Sequence, residues 1–468
     1  MTPTPEQEAI VRAAKETEDN LLVSALAGAA KTSSLVLVAE ALPDKQILCL
    51  AFNKKIATEM QERLPSNCKA MTLNALGHRV WSEAIGRRLE INSGKLGDLM
   101  KAVIDEQTRS DASELYANMG ELIRIVDFGK ACGYIPSGSY EQTAKRLMGD
   151  EEFFDHLEQR LSGLERDVIR EVTLRSLKAA FQGKCDYSDQ LLMPTVFHGA
   201  YPRYPLTLVD EAQDLSSLNH ATLRKMVGTR RLIAVGDPCQ AIYGFRGAHE
   251  ESMEKLRYEF SMRELPLTTS FRCPRAVVEH VQWRAPAMRW PEWAKPGKIE
   301  TLSSWKAADL SEDGVVICRN NAPLFGLAIR LLKNGRTAEL DGKDIVKAIT
   351  KVMRKFGGHD LRQAQVFDAI SAWEEKEKAK TKPRAHKRVE DRAECMRVFA
   401  RQGKTLGDAL AYADHIMQIH SPLKLMTGHK SKGLEFPHVY FLDEHLVGKE
   451  DQDPNLRYVI QTRTKDIL

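Results

Sequence analysis

Residues 21–32, LLVSALAGAAKT, set the reading of the whole chain. The run from Leu21 to Leu26 is of the kind that parallel sheets bury on both faces, and a small-residue turn then leads to Lys31 and Thr32 at the start of a helical stretch. A strand ending this way turns backbone N–H groups and a helix N-terminus towards one point, which is the geometry of an anion-binding loop. There Lys31 reaches the β and γ phosphates of a nucleotide and the Thr32 hydroxyl holds Mg²⁺. The spacing departs from GxxxxGK[ST], because Ala25 and Ala30 stand where the pattern has glycine. Taken alone, the stretch is also compatible with a chance Lys-Thr at a helix start. If Ala30 needs a left-handed backbone, the strain is roughly 1–2 kcal/mol, or about tenfold in affinity, which weakens a site without abolishing it.

Similar apolar runs recur at residues 46–52, 206–209, 232–235, 315–318, 423–427 and 439–442, with helical stretches between them. Bounded by Gly, Asp or Pro, they predict buried strands of parallel sheets, so the fold class is α/β. Residues 85–185 differ: they are rich in Leu, Arg, Glu and Ala at helical spacing and predict an all-helical insertion. A charge run at 374–392, EEKEKAKTKPRAHKRVEDR, surrounds Pro383. It is either a solvated helix end or loop, or an arm that contacts nucleic acid.

The second chemical element is LTLVDEAQD at 206–214, an apolar strand that delivers two carboxylates at its C-terminal end. That edge is where parallel sheets bind ligands. Asp210 suits a partner of Mg²⁺, and Glu211 suits orientation and deprotonation of an attacking water. A strand followed by an acidic helix cap is the plainer alternative, and the company of Lys31 and Thr32 argues against it.

Composition sets the outer limits. A chain of 468 residues makes several domains rather than one. Lys plus Arg, 68, nearly balance Asp plus Glu, 64, so any polyanion site must be a local patch. The first twenty residues carry Glu6, Glu8, Lys15, Glu16, Glu18 and Asp19 and lack the apolar core of a signal peptide, and no run is long enough to span a membrane. The eight cysteines lie far apart without CxxC spacing. Free buried thiols in a reducing compartment are expected rather than a zinc or iron–sulfur site.

In order along the chain stand TPEQEAI (4–10), LAGAAKT (26–32), AFNKKIATEM (51–60), TLNALGH (72–78), VDEAQD (209–214), VGDPCQAIYGFRGA (235–248), SFRCP (270–274), MTGHKSKGLEF (426–436) and LRYVIQTRTK (456–465). With these signatures the chain resembles the UvrD/Rep/PcrA group of superfamily 1 DNA helicases. The resemblance implies two RecA-like domains, 1–84 with 186–265 and 266–342 with 423–468, that enclose ATP between them. The helical insertion 85–185 belongs to the first and a reduced accessory insertion, 343–422, to the second. It also implies that Gln7 recognises adenine, Phe271 stacks on it, and the loop residues Ala27, Gly28, Ala29, Ala30, Lys31, Thr32 and Ser33 cradle the phosphates. Arg272 and Arg463 would reach the γ phosphate, and Gln240 would sense it. Glu435 would lie near the ribose, with helix capping as its alternative.

On the nucleic-acid side the resemblance names Phe52, Phe245, Arg246 and His429, with Thr72 and Asn74 as weaker candidates. Aromatics and donors of this kind suit a sequence-tolerant single-strand track, with core packing as the alternative for Phe52 and, less favoured, for Phe271. The implied activity is 3′→5′ translocation on single-stranded DNA and unwinding of tailed duplexes, driven by ATP with Mg²⁺, by a cytoplasmic protein that functions as a monomer. Because the chain ends three residues after Lys465, no C-terminal partner-binding tail is expected. Two alternatives stay open: a translocase that strips proteins without unwinding, and a catalytically silent DNA clamp. Besides Ala30, the departures are Phe245 where relatives often have tryptophan, Asn53 for threonine, and Gln461-Thr462 ahead of Arg463.

Overall fold

The computed structural model describes residues 3–242, 251–302, 306–448 and 452–468. The chain forms two compact units. The first comprises Met1–Leu26, Ala30–Leu157 and Leu161–Leu267; the second is Thr268–Leu468 with Ala27–Ala29 and Glu158–Arg160.

The first unit is built on a parallel sheet of β1 (Leu21–Ala25), β2 (Ile47–Ala51), β3 (Cys68–Thr72), β6 (Leu206–Val209), β7 (Arg231–Gly236) and β8 (Arg263–Leu267), in the order β3-β2-β6-β7-β1-β8. The inner strands ILCLA, LTLV and RLIAVG are buried along their whole length, because helices cover both faces of a parallel sheet. Leu22, Leu48, Leu50, Val209, Leu232 and Ala234 join Leu76, Val80, Leu223 and Leu256 in one core. Edge strand β8, RELPL, carries Pro266, which only an edge tolerates, and it takes the first unit past the expected boundary at 265.

The helices start where local chemistry permits. Thr4 and Gln7 cap Pro5–Glu16 reciprocally, the Asn53 side chain accepts from Ile56 N (2.9 Å) to start Lys54–Arg63, and Thr72 accepts from Ala75 N (3.1 Å) to start Leu73–Ile85. The region expected to be all-helical contains Lys95–Asp105, Arg109–Cys132, Asp150–His156 and Gly163–Phe181 around its own core of Met100, Leu122, Phe153 and Ile169. Its two ends are tied by a short parallel ladder, β4 (Glu90–Ile91) with β5 (Lys184–Cys185), which its sequence did not announce.

Just after β5 lies a buried ionic cluster. Lys95 Nζ contacts Asp189 Oδ2 (2.5 Å), and Lys130 Nζ contacts Asp186 Oδ2 (2.5 Å) and Asp189 Oδ1 (2.7 Å). Two cations face two carboxylates, so each buried charge is compensated; removing one partner would leave another uncompensated.

The second unit holds the parallel sheet β10-β11-β9-β12-β13, formed by β9 (Val315–Cys318), β10 (Glu339–Asp341), β11 (Lys424–Thr427), β12 (Phe436–Phe441) and β13 (Thr464–Ile467). The helices of 343–422 share one core with that sheet: Ile349, Met353, Val366, Phe399 and Ile416 cluster with Val316, Leu340 and Leu425. The charge run forms the end of helix Gln363–Ala379, a turn at Pro383–Ala385 and the start of helix His386–Ala400. Lys378 pairs with Glu374 (2.8 Å) and Glu390 (2.7 Å), lacing the two helices together. All eight cysteines are buried and free. Among the described residues no helix is long and apolar enough to cross a membrane.

Candidate functional site

The strand order sets the C-terminal ends of β6, β7 and β1 side by side, with Ser24 opposite Gly236 and Val209 opposite Ala234. Each end releases polar side chains at the same edge. β1 runs into the loop that contains Gly28 (φ +76°), and the helix Lys31–Glu40 starts from Ala30, which adopts φ 58° and ψ 42°. Ala30 therefore occupies the left-handed region that its missing glycine would have favoured. Asp210 continues the pairing of β6 with β2 through Asp210 N to Leu50 O (3.0 Å), and Glu211 then leaves the strand at φ 53°. Left-handed conformations at non-glycine residues cost about 1–3 kcal/mol each and gather at functional sites.

Four sequence-derived residues meet here. Lys31 Nζ lies 2.9 Å from Glu211 Oε2, and the Thr32 hydroxyl donates to Asp210 Oδ2 at 2.8 Å. Burial opposes the Lys31 ammonium, but Glu211, Asp237 and Asp210 outweigh it and hold the group above its ordinary range. Burial, helped by the neighbouring Glu211, pushes the Asp210 carboxyl up to about 6, against the pull of Lys31 and Thr32. Asp237, fully buried at the end of β7, is raised by burial as well. One ammonium against three carboxylates leaves negative charge in excess. The Thr32 hydroxyl and Asp210 carboxylate are hard oxygen donors, so the pair fits Mg²⁺, which takes one or two carboxylates and completes its shell with phosphate and water.

Gln240, also buried, donates from Nε2 to Asp237 Oδ2 (2.7 Å). Ser33 accepts from Arg63 Nη2 (2.9 Å). Gln7 is 6 % exposed and already engaged at both ends of its amide: Oε1 accepts from Thr4 N (3.0 Å) and Nε2 donates to Ser34 Oγ (3.0 Å). It ties the N-terminal helix to the helix of Lys31. Sequence reasoning missed Asp237 and Gln213; a carboxylate at the end of a third buried strand was the available signal for the first.

The nucleic-acid candidates of this unit occupy the other end of the same edge. Phe52 follows β2 and is 47 % exposed, so it is not core. Thr72 ends the adjacent β3, and its hydroxyl serves as the helix cap described above. Asn74 Nδ2 donates to the Tyr187 carbonyl (3.0 Å), and Tyr187, 62 % exposed, lies between the buried Asp186 and Asp189. Phe245 and Arg246 lie outside the described residues.

In the second unit, Arg272 Nε donates to Glu435 Oε1 (2.6 Å) and Lys465 Nζ lies 2.8 Å from Glu435 Oε2. Burial works to raise the Glu435 carboxyl, yet Arg272 and Lys465 hold it below the usual range. No helix begins at Glu435, since β12 starts at Phe436, so the capping alternative is corrected to a double ion pair. Half-buried Phe271 stacks against Trp293, with centroids 6.1 Å apart and planes 25° apart. Arg463 is turned inward at 1 % exposure, with Nε donating to Val459 O (2.8 Å) and Nη2 to Thr462 Oγ1 (3.2 Å). His429 lies in the short helix Gly428–Ser431 that follows β11.

A parallel sheet whose first strand feeds a Lys-Thr helix start, and whose neighbouring strands present an Asp-Glu pair and a further Asp, defines a P-loop protein of the RecA-like class. The family model of the UvrD/REP helicase N-terminal domain matches residues 4–261, and the chain belongs to that family. Among curated proteins it is 27 % identical over 297 residues to F-box DNA helicase protein 1 of Schizosaccharomyces pombe, covering 60 % of this chain and 32 % of that protein. DNA helicase II of Haemophilus influenzae is 24 % identical over 286 residues, 54 % of this chain and 36 % of the relative. DNA helicase IV of Escherichia coli is 27 % identical over 315 residues, with coverages of 58 % and 45 %. The chain thus matches less than half the length of each of these relatives.

Proposed function

We propose that the protein is an ATP-dependent DNA helicase that moves 3′→5′ along single-stranded DNA and opens tailed duplexes. The observation that carries this reading is the convergence of Lys31, Thr32, Asp210 and Glu211 at one sheet edge, within hydrogen-bonding distance in pairs. Lys31 neutralises the β and γ phosphates. Thr32 and Asp210 would hold Mg²⁺, which would supply positive charge against the charge of the phosphates. Glu211 orients the attacking water and takes its proton, which requires that Lys31 exchange its carboxylate partner for phosphate. Arg272 and Arg463 stabilise charge on the transferred phosphoryl group, a role for which Arg272 must leave Glu435 and Arg463 must turn outward. Phe271, backed by Trp293, offers a face to the base, and Gln240 reports the γ phosphate to the segment that leads to Phe245.

Phe52, Thr72, Asn74, Phe245, Arg246 and His429, joined by exposed Tyr187, form the single-strand track, with aromatic faces for bases and donors for phosphates. ATP binding and hydrolysis alternately close and open the two units, and the changing grip on DNA becomes directed movement. The protein acts as a monomer in the cytoplasm, where its free thiols stay reduced. The names of the relatives support the activity, and the signatures HKSKGLEF and YVIQTRT support the polarity.

The test is ATP hydrolysis with and without single-stranded DNA, followed by strand displacement on duplexes with a 3′ or a 5′ tail. DNA-stimulated hydrolysis with displacement only from the 3′ tail is expected. Stimulated hydrolysis without displacement would favour the protein-stripping translocase, and no hydrolysis at all the silent clamp.

A further inference from the structure

Gln213, buried at 2 % exposure, has no role in the reading so far, yet both ends of its amide are engaged. Nε2 donates to Glu211 Oε2 at 2.5 Å and to Asp214 Oδ2 at 3.4 Å, while Oε1 accepts from Asp237 N at 3.0 Å. Asp237 in turn accepts from Gln240 Nε2 (2.7 Å) through Oδ2 and from Cys239 N (2.9 Å) through Oδ1. One side chain therefore joins the end of β6 to the end of β7. It completes an unbroken path from Gln240 through Asp237 to the carboxylate of Glu211. The backbone makes room for it, since a Cβ on Gly236 would lie 2.6 Å from Gln213 Oε1 and 3.0 Å from Gln213 N. A buried amide with its donors and acceptor matched to fixed partners cannot shift at one end without shifting at the other.

We propose that Gln213 is the positioning residue that couples the Gln240 segment to Glu211, so that movement of that segment re-aims the carboxylate that activates water. The proposal rests on the assignment of Glu211 above. In this role Gln213 acts through Glu211, to which its Nε2 donates, rather than by binding nucleotide itself. Positional errors of about 1 Å can cost about 100-fold in rate, so a relay of this kind controls turnover without adding to nucleotide affinity.

The experiment measures kcat, the KM for ATP and the melting temperature of the full chain with single-stranded DNA present, for Glu211→Gln, Gln213→Met, Gly236→Ala, Gln240→Ala and the double variant Gln213→Met/Gln240→Ala. Glu211→Gln tests the underlying assignment; if it still turns over at the wild-type rate, that assignment fails, whatever the other variants do. Gln213→Met keeps length and volume but loses both hydrogen-bonding ends. It is expected to lower kcat about 10- to 100-fold with KM changed less than about twofold, because uniform nucleotide binding is untouched. Gly236→Ala should give the same split by displacing the amide, and it decides the matter if Gln213→Met fails to fold. The double variant should be no slower than the slower single variant, since residues in one relay are not additive. The proposal is overturned if kcat is unchanged, if KM rises in step with the loss of kcat, or if the losses in the double variant multiply, as separate packing defects would.

Discussion

Replacing Ala30 by glycine should stabilise the first unit and leave ATP turnover within about twofold of the original. Ala30 sits at φ 58°, ψ 42° as the residue before the helix Lys31–Glu40. An alanine Cβ in that region costs roughly 1–2 kcal/mol, and glycine's extra freedom in the unfolded chain returns about 0.4–1 kcal/mol of that. The net gain is about 1 kcal/mol, which for a unit of this size is a rise of roughly 2–4 °C in melting temperature. Scanning calorimetry without nucleotide, paired with DNA-stimulated ATPase assays, reads both quantities. Ala29→Gly is the control, because Ala29 is buried and has no positive φ; there glycine should lower stability by about 0.5–1 kcal/mol. A fall in melting temperature for Ala30→Gly, or a loss of turnover of tenfold or more, would refute the strain argument and give the Ala30 methyl a contact of its own.

Lys31→Ala should raise the KM for ATP and lower turnover by about 100-fold, because it deletes the cation that faces the phosphates. Glu211→Gln should keep nucleotide affinity and lose turnover by at least about 100-fold, since the amide has the shape but cannot take a proton; equilibrium binding beside steady-state kinetics separates the two. Asp210, held near pH 6, is ionised in the folded state above that pH at a cost of about 3 kcal/mol relative to its unfolded value. In the presence of a chelator Asp210→Asn should therefore melt at a higher temperature than wild type at pH 8, and the advantage should shrink as pH falls from 6 towards 4; an advantage that is flat with pH would contradict the assignment. Phe245→Ala should raise the ATP consumed per base pair opened, because losing one stacking platform removes about 1–3 kcal/mol of strand grip while the phosphate-facing residues stay in place. An unchanged ratio would place Phe245 outside the track.

The sequence by itself determined the inner strands and the chemistry at their ends. LLVSA, ILCLA, LTLV, RLIAVG and VVIC are buried on both faces along nearly their whole length, so burial writes them as largely apolar runs; Lys31 and Thr32 follow the turn after LLVSA, and Asp210 and Glu211 stand where LTLV stops. The strands it did not announce, apart from the short β4–β5 ladder, are the four sheet edges: CKAMT, RELPL, ELD and TKDI. Edge strands are half exposed and need no apolar pattern; RELPL becomes a strand because β1 offers it an unpaired backbone, which local sequence does not encode. The same division runs through the site. Motif spacing named Lys31 and Glu211, but only the strand order β6-β7-β1 set Asp237 beside them and let Gln213 bridge two strand ends. Sequence also posed the question of Ala30 without answering it. Whether that residue is strained depends on the angle at which the loop must enter the helix, and the packing of the sheet sets that angle.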